Sequence, residues 1–559
     1  MFSKTLLSVT VVTSMLALTA CTDGDDGAAG AVGASGSNRT LIELNVLGSY
    51  RSPGDVFDSG AAEILAHDGV NQRLFVVNAG AATVDVLDIQ DPSRPVLLQT
   101  IDATAEGASA NSVAVHDGLV AVAIEAEVKQ DPGKVVFYNA GDLGKVGEVT
   151  VGALPDMVTF TRDGNKVLVA NEGEPSDDYS RDPVGSVSII DLSAGVAGAT
   201  VTTAGFEAFN GQEASLKASG VRIFGPGAMV AQDLEPEYIA VAPDNRTAWI
   251  TLQENNAVAE LDIEAGVILD IKPLGFKDHS IIGNELDASN KDSGIHIQSW
   301  PVLGMYQPDA IASYQYNGKT YYITANEGDS RDYDGFSEEL RLKDLTLDAG
   351  VFPDAAELQQ DENLGRINVT TTLGVNNGCD PSDPGTDVEA DCVYDAIYTY
   401  GARSFSIWSA EGQQVFDSGS EFERITASRI PDNFNSNNDG NDSMDSRSDD
   451  KGPEPEAITV GSINGQTFAF IGLERVGGIM VYDVTNPQNP DFIQYINNRD
   501  FSASDTDLEA GLGGDLGPEG VAFIDALSSP TGKPLLAVAN EVSGTTTLYR
   551  IDVTELAAD

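Results

Sequence analysis

The triplet Ala-Asn-Glu occurs three times in this chain, as Ala170-Asn171-Glu172, Ala325-Asn326-Glu327 and Ala539-Asn540-Glu541, each time directly after an apolar run. Leu252-Gln253-Glu254 and Gly472-Leu473-Glu474 are looser copies. Each is preceded, sixteen to twenty-two residues earlier, by an acid directly after proline: Asp156, Glu237, Asp309, Glu456 and Glu519. Glu63 holds the matching place near the start. Carboxylates flanked by amides suit hard divalent cations, because calcium takes about six to eight oxygen ligands. The expected metal ligands are therefore Asp156, Glu172, Glu237, Glu254, Asp309, Glu327, Glu456, Glu474, Glu519 and Glu541, with Glu63 beside them. Asn171, Asn326 and Asn540 would add amide oxygens, and calcium is the expected ion. The alternative is that the acids pair and hydrogen-bond to hold neighbouring repeats in register. Either way, eleven carboxylates brought together repel one another unless cations compensate.

Arg181, Arg331, Arg447 and Lys451 stand in or near the same loops, as does Arg475. The arginines could be partners of the acids; as anion- or substrate-binding residues, the role expected of Arg181, Arg331, Arg447 and Lys451, they have the advantage that guanidinium matches phosphate in a bidentate fork. Other chemistries find no support. His67, His116, His279 and His296 lack the spacing of a zinc or copper site. Asn435-x-Asn437-x-Asp439-Gly440 opens like an EF-hand loop, but Ser446 stands where the bidentate glutamate is needed. There is no Gly-x-Ser-x-Gly elbow, no His-Glu-x-x-His and no phosphate-cradling glycine loop with lysine. No nucleotide or flavin cofactor is indicated. The 87 acidic residues against 31 basic ones leave a formal charge of −56, which repels nucleic acid and attracts cations.

The acids must be positioned by something repetitive. From Leu41 onward, short runs rich in Val, Ile, Phe and Tyr alternate with Gly, Asp and Asn turns, the pattern of strands. They align as seven units of three to four strands, which predicts an all-β, seven-bladed β-propeller with loop insertions. A β-sandwich does not predict seven similar units. The seventh unit runs out of chain after three strands, and Leu41–Leu47 is an unassigned strand at the other end. Pairing the two termini would close the ring and remove an open edge. In a blade, the first strand begins and the second ends at one face, so both sets of acids should reach one rim. Insertions interrupt the array near 205–232, 264–305, 333–400 and 426–453, and Gln212–Ser219 reads as a short helix. The expected domains are a signal peptide over 1–20, a flexible Gly/Ala tether over 21–40, and a single propeller over 41–559.

Lys4, the apolar stretch Leu6–Leu16 and Leu18-Thr19-Ala20-Cys21 read as a lipoprotein signal ending in a lipidated Cys21. The apolar stretch is too short to span a bilayer. Thr22 follows the cysteine in place of aspartate, which by lipoprotein sorting implies the outer membrane of a bacterial envelope. The partner expected at this end is thus a membrane, reached through the N-terminal lipid. Cys379 and Cys392 remain, with twelve residues between them. Outside the cytosol such a pair reads as a disulfide, with a two-cysteine metal site as the alternative.

Three long motifs carry a resemblance: Trp300-Pro301-Val302-Leu303-Gly304-Met305-Tyr306-Gln307-Pro308-Asp309, Ala325 through Tyr333, and Asp445 through Glu456. Leu234-Glu235-Pro236-Glu237-Tyr238-Ile239-Ala240-Val241 fits with them. Together they resemble the bacterial choice-of-anchor I family over nearly everything from about residue 45 to 559. That family is similar to mesenchyme-specific cell-surface glycoproteins and to part of atypical cyanobacterial alkaline phosphatases. The resemblance implies a seven-bladed propeller and a surface location. Two functions remain in view: a surface module binding calcium, a polymer or a partner protein, and a calcium-dependent phosphomonoesterase acting on phosphate esters.

Overall fold

The computed structural model describes residues 39–54 and 56–556. The signal segment, Cys21 and nearly all of the expected tether lie outside the described residues. The chain divides into two units, Thr40–Thr554 and a second comprising Met1–Arg39 with Glu555–Asp559. Of the second, only the strand ends Arg39, Glu555 and Leu556 are described.

The apolar runs become strands, and the described residues form seven four-stranded sheets, one five-stranded sheet and one two-stranded ribbon. The third sheet shows the plan. Pro155–Phe160, Lys166–Asn171, Ser186–Asp191 and Thr200–Gly205 follow one another antiparallel in chain order. Second strands such as Leu119–Ile124, Lys166–Asn171 and Leu535–Asn540 are buried almost throughout. Both of their faces meet apolar side chains, so their sequences read as continuous apolar runs rather than alternations. Outer strands such as Thr200–Gly205 and Val267–Pro273 leave one side to solvent.

Successive sheets share buried apolar clusters. Phe75, Val84 and Val86 of the first pack with Val113, Val120 and Val136 of the second. Leu168 and Ile189 of the third pack with Ile250 and Leu261 of the fourth, and Phe405 of the fifth with Met480 and Tyr482 of the sixth. Leu535, Ala537 and Leu548 of the last sheet pack with Leu74, Val76 and Leu87 of the first. The first strands neighbour one another in the same sequence, with Pro518–Ile524 beside Leu65–Asp68. In the last sheet, Pro518–Ile524, Leu535–Asn540 and Thr545–Leu556 are joined by Arg39–Arg51 from the other end of the chain. That strand begins inside the stretch expected to be tether.

The 264–305 and 333–400 segments depart from the expectation of long loops. Val267–Pro273 is the fourth strand of the fourth sheet. Phe276–Asp278, Leu303–Met305, Tyr398–Thr399, Asn368–Thr370 and Glu339–Arg341 then form the five-stranded sheet, with Leu303–Met305 parallel to Tyr398–Thr399. Its own core holds Leu342, Leu364, Ile367, Val369 and Tyr394. Strands of two or three residues are too short to show a period in sequence. Cys379 and Cys392 are joined as a disulfide. The short helix expected at Gln212–Ser219 is present as Glu213–Ser219.

The recurring asparagine ends the second strand and turns inward to the third. Asn171 Nδ2 donates to Ser186 O, Ser186 Oγ and Ser188 Oγ, and Asn326 Nδ2 donates to Ser404 Oγ and Ser406 Oγ. Asn540 Nδ2 donates to Thr545 O and Thr545 Oγ1. These amides pin strand to strand, and two of the oxygens expected to meet a metal are themselves taken: Asn171 Oδ1 accepts from Gly152 N and Asn326 Oδ1 from Thr324 Oγ1. Replacing Asn326 by Leu leaves buried hydroxyl oxygens without their donor, and should lower unfolding stability by about 1–3 kcal/mol in denaturant melts.

Candidate functional site

The strand register explains how the two sets of acids meet. Pro155 pairs across the ladder with Asn171, and Pro518 with Asn540, while Pro455 pairs with Leu473. In all three sheets the register then shifts within the next few residues, a bulge that proline tolerates because it has no N–H to offer the ladder. The acid after the proline, Asp156, Glu519 or Glu456, therefore lies beside the acid that follows the second strand, Glu172, Glu541 or Glu474.

All eleven acids picked out in the sequence line one cavity of about 520 Å³. Glu63, Asp156, Glu237, Asp309, Glu456 and Glu519 come from first strands or just before them, and Glu172, Glu254, Glu327, Glu474 and Glu541 follow second strands. The second sheet offers Asn111 and Ser112 instead of an acid. Two further acids, Glu174 and Asp329, also line the cavity. Their signal was present as Glu172-Gly173-Glu174 and Glu327-Gly328-Asp329. Gly173 and Gly328 take φ of +74° and +94°, and a side chain at Gly328 would meet Gly401 N at 2.1 Å. Only glycine makes that turn cheaply and lets both flanking acids face the same space.

One sector of this cavity is neutralised. Lys451 Nζ lies 2.7 Å from Glu327 Oε1 and 3.3 Å from Glu454 Oε2, and donates to Gly328 O at 2.6 Å. Arg475 Nε is 3.1 Å from both Glu454 Oε2 and Glu474 Oε2, while Arg447 Nη2 reaches Glu454 Oε1 at 2.7 Å. Glu327, Glu454 and Glu474 each offer an oxygen within 4.8 Å of the others, and among the described residues no other such acidic trio occurs. Glu454, fully buried, was missed in sequence as a plain neighbour of Pro455.

Four other carboxyls of the cavity have an oxygen with no such partner. Glu237 and Glu254 are only 7% and 6% exposed, and Oε2 of each is buried with no hydrogen-bond partner. Oε2 of Glu456 and of Glu519 is in the same condition. Burial, reinforced by neighbouring carboxylates, pushes Glu172, Glu237, Asp309, Glu456 and Glu519 well above the ordinary carboxylate range. For the same reason Asp156 rises to about 7 and Glu63 to about 8, while burial raises Glu254 to about 7 against the pull of Arg331 and Asp329 to about 6 against that of Lys451. Glu474 and Glu541 are also raised, against the pull of Arg475. Glu454 behaves oppositely: burial would raise it, but Lys451, Arg447 and Arg475 together hold it at about 2.

The expected anion-binding residues divide. Lys451 lines the cavity and Arg447 pairs with Glu454 beside it. Arg331 does not point there: its guanidinium is buried, 2.6 Å from Asp233 and 2.9 Å from Glu235, and packs over Phe224. Arg181 is half exposed and pairs with Asp131 at 2.5 Å. Neither is placed to meet a ligand in the cavity. Both were read from loop position, which does not say which way a long side chain turns.

The model of the choice-of-anchor I domain matches residues 63–487, from the first of the cavity acids through the sixth sheet's third strand. The chain belongs to this family. It is 31% identical to Gigasin-3a of Magallana gigas over 202 residues, 35% of this chain and 66% of that protein. It is 28% identical to the mesenchyme-specific cell surface glycoprotein of Strongylocentrotus purpuratus over 286 residues, 45% of this chain and 35% of that one. The matches thus span less than two thirds of either relative. Among solved structures, the Cps50 (Swd1) β-propeller domain of Myceliophteria thermophila is similar with a TM-score of 0.40 and 7% identity, over 91% of this chain and 99% of that one.

The raised acids make a pH prediction with a definite sign. Asp329, Asp156, Glu254 and Glu63 bind protons more tightly folded than unfolded, so their contribution is complete below the ordinary carboxylate range. It is lost as pH rises through about 6 to 8. In chelator, the melting temperature should fall from pH 6 to pH 9; a flat or rising profile would show that the acids are neutralised otherwise.

Proposed function

We propose that this chain is a cell-surface binding module whose acidic cavity captures cations, with calcium the inorganic ion to test first. Its architecture in this reading is a seven-bladed β-propeller, closed by the strands from the two ends of the chain. The seven four-stranded sheets, the shared cores from each to the next and the strand Arg39–Arg51 beside Thr545–Leu556 support that closure. A bacterial envelope location through a lipid on Cys21 follows from the leader sequence, and the relative named as a cell surface glycoprotein is consistent with display at a surface.

The observation that carries the reading is that Glu237, Glu254, Glu456 and Glu519 all line one cavity and that each has a buried carboxyl oxygen without a hydrogen-bond donor. A charged carboxylate without a donor is strongly disfavoured when buried, and either a proton or a cation relieves it. A calcium-dependent phosphoesterase acting through the same acids would hold the phosphoryl oxygens on its metal and gain from further side-chain cations beside them. Lys451 and Arg475, the cations that line the cavity, are already engaged with Glu327, Glu454 and Glu474. Binding without turnover is therefore the better supported function.

Titration calorimetry of calcium into chelator-treated protein at pH 8 tests this directly. Binding should raise the melting temperature, by an amount equivalent to about 2.7 kcal/mol at a hundredfold excess over Kd. Glu237→Gln should weaken it by roughly tenfold. Calcium-dependent hydrolysis of a phosphomonoester panel, abolished in the same variant, would replace the binding module with the enzyme.

A further inference from the structure

The cavity's acids meet as neighbours, but apart from Glu327, Glu454 and Glu474 no three among the described residues converge. Calcium at about 2.3–2.6 Å from six or more oxygens needs those oxygens close to one another. Among the described residues, the only acidic trio with oxygens within 4.8 Å of one another is Glu327, Glu454 and Glu474, and that trio already holds Lys451 and Arg475. The unpartnered oxygens of Glu237, Glu254, Glu456 and Glu519 belong to no such cluster. They call for positive charges set apart from one another.

The chain itself shows what kind of charge the lining accepts. Lys451 reaches the cavity on an alkyl stem and gives its ammonium to two carboxylates and a carbonyl, Glu327, Glu454 and Gly328 O. An ammonium has three donors and needs only separate acceptors at hydrogen-bond distance, not a convergent cage. The wall also carries Ile64, Met157 and Tyr238. These surfaces do nothing for a bare ion, but they would cover methylene groups, and an aromatic face favours a nearby cation. At about 520 Å³ the space also exceeds what one ion needs.

We propose that the cavity is a receptor for a linear aliphatic polyamine, whose ammonium groups meet the unpartnered carboxylates of Glu237, Glu254, Glu456 and Glu519 while its methylene spacers lie on Ile64, Met157 and Tyr238. This inference rests on the cation-capturing reading of the cavity and names its ligand class. Primary ammonium groups on alkyl stems also occur on lysine side chains, so a short lysine peptide is the necessary comparison.

The test is titration calorimetry of the full chain with spermidine, butylamine, trilysine and calcium, at physiological ionic strength to screen the acidic surface. Spermidine should bind at one per chain, far more tightly than butylamine and more tightly than trilysine, and should compete with calcium. Glu237→Gln and Glu254→Gln should each weaken spermidine by about tenfold or more, while the exposed Glu264→Gln leaves it unchanged. Circular dichroism and a melt of each variant establish that it is folded. Calcium binding without spermidine binding overturns the polyamine assignment and leaves the cation reading standing; binding of neither overturns both. Tighter binding of trilysine, or equal weakening by Glu264→Gln, overturns it in favour of a peptide or of diffuse surface attraction.

Discussion

Putting carboxylates side by side out of water is the constraint on which the rest of this structure turns. Each buried charge is costly alone, and each neighbour of the same sign adds to the cost. The fold nevertheless enforces it, because the ladder pairs Pro155 with Asn171, Pro455 with Leu473 and Pro518 with Asn540. Backbone register, which cannot slip by one residue without turning every core side chain outward, leaves the acids no freedom to part. Where the cost is relieved by the protein's own cations it is relieved locally, at Glu327, Glu454 and Glu474. Elsewhere the carboxyls hold protons into the neutral range.

Resisting that repulsion takes stiffness, and the sheets supply it twice over. Between sheets, shared clusters such as Phe405 with Tyr482, and Leu74 and Val76 with Leu535 and Leu548, fix neighbours against one another. Within sheets, Asn171, Asn326 and Asn540 tie the end of the second strand to the third at the very residue before the acid. The triplet Ala-Asn-Glu is thus a compound device. Alanine is small enough for the packed strand, asparagine locks its end, and glutamate is presented by the lock. The buried Arg331, held by Asp233 and Glu235, serves the same end by anchoring the loop that carries Asp329.

Much of this was legible in the chain because it repeats. Continuous apolar runs marked the second strands, and the recurrence of a Pro-acid pair sixteen to twenty-two residues before each later glutamate marked both ends of a pair of strands. The sequence alone places Glu172 and Asp156 together. What did not repeat was not legible. The five-stranded sheet is made of pieces such as Tyr398–Thr399 and Phe276–Asp278, too short for periodicity to register. Glu454 stood one residue from the repeated motif and looked like spacing. Arg181 and Arg331 shared loops with the acids, but long side chains are oriented by contacts that are remote in sequence, such as Asp131 and Asp233. The asparagines were assigned by chemical type, and the third strand's serines and threonines claimed them first.

The recurring acids had two readings from the start, as ligands or as the glue between repeats. Glue must have partners. That description suits Glu327, Glu454 and Glu474, whose oxygens are met by Lys451, Arg447 and Arg475. It fails for Glu237 and Glu254, which are as buried yet leave an oxygen with no donor, and for Glu456 and Glu519 in the same cavity, which also leave one. A carboxylate retained only for packing would be replaced at a gain by glutamine or an apolar residue, since either removes the desolvated charge. Four such groups facing one space therefore describe a surface made for something carrying the opposite charge, and the sector that already holds a lysine shows how such a charge is received.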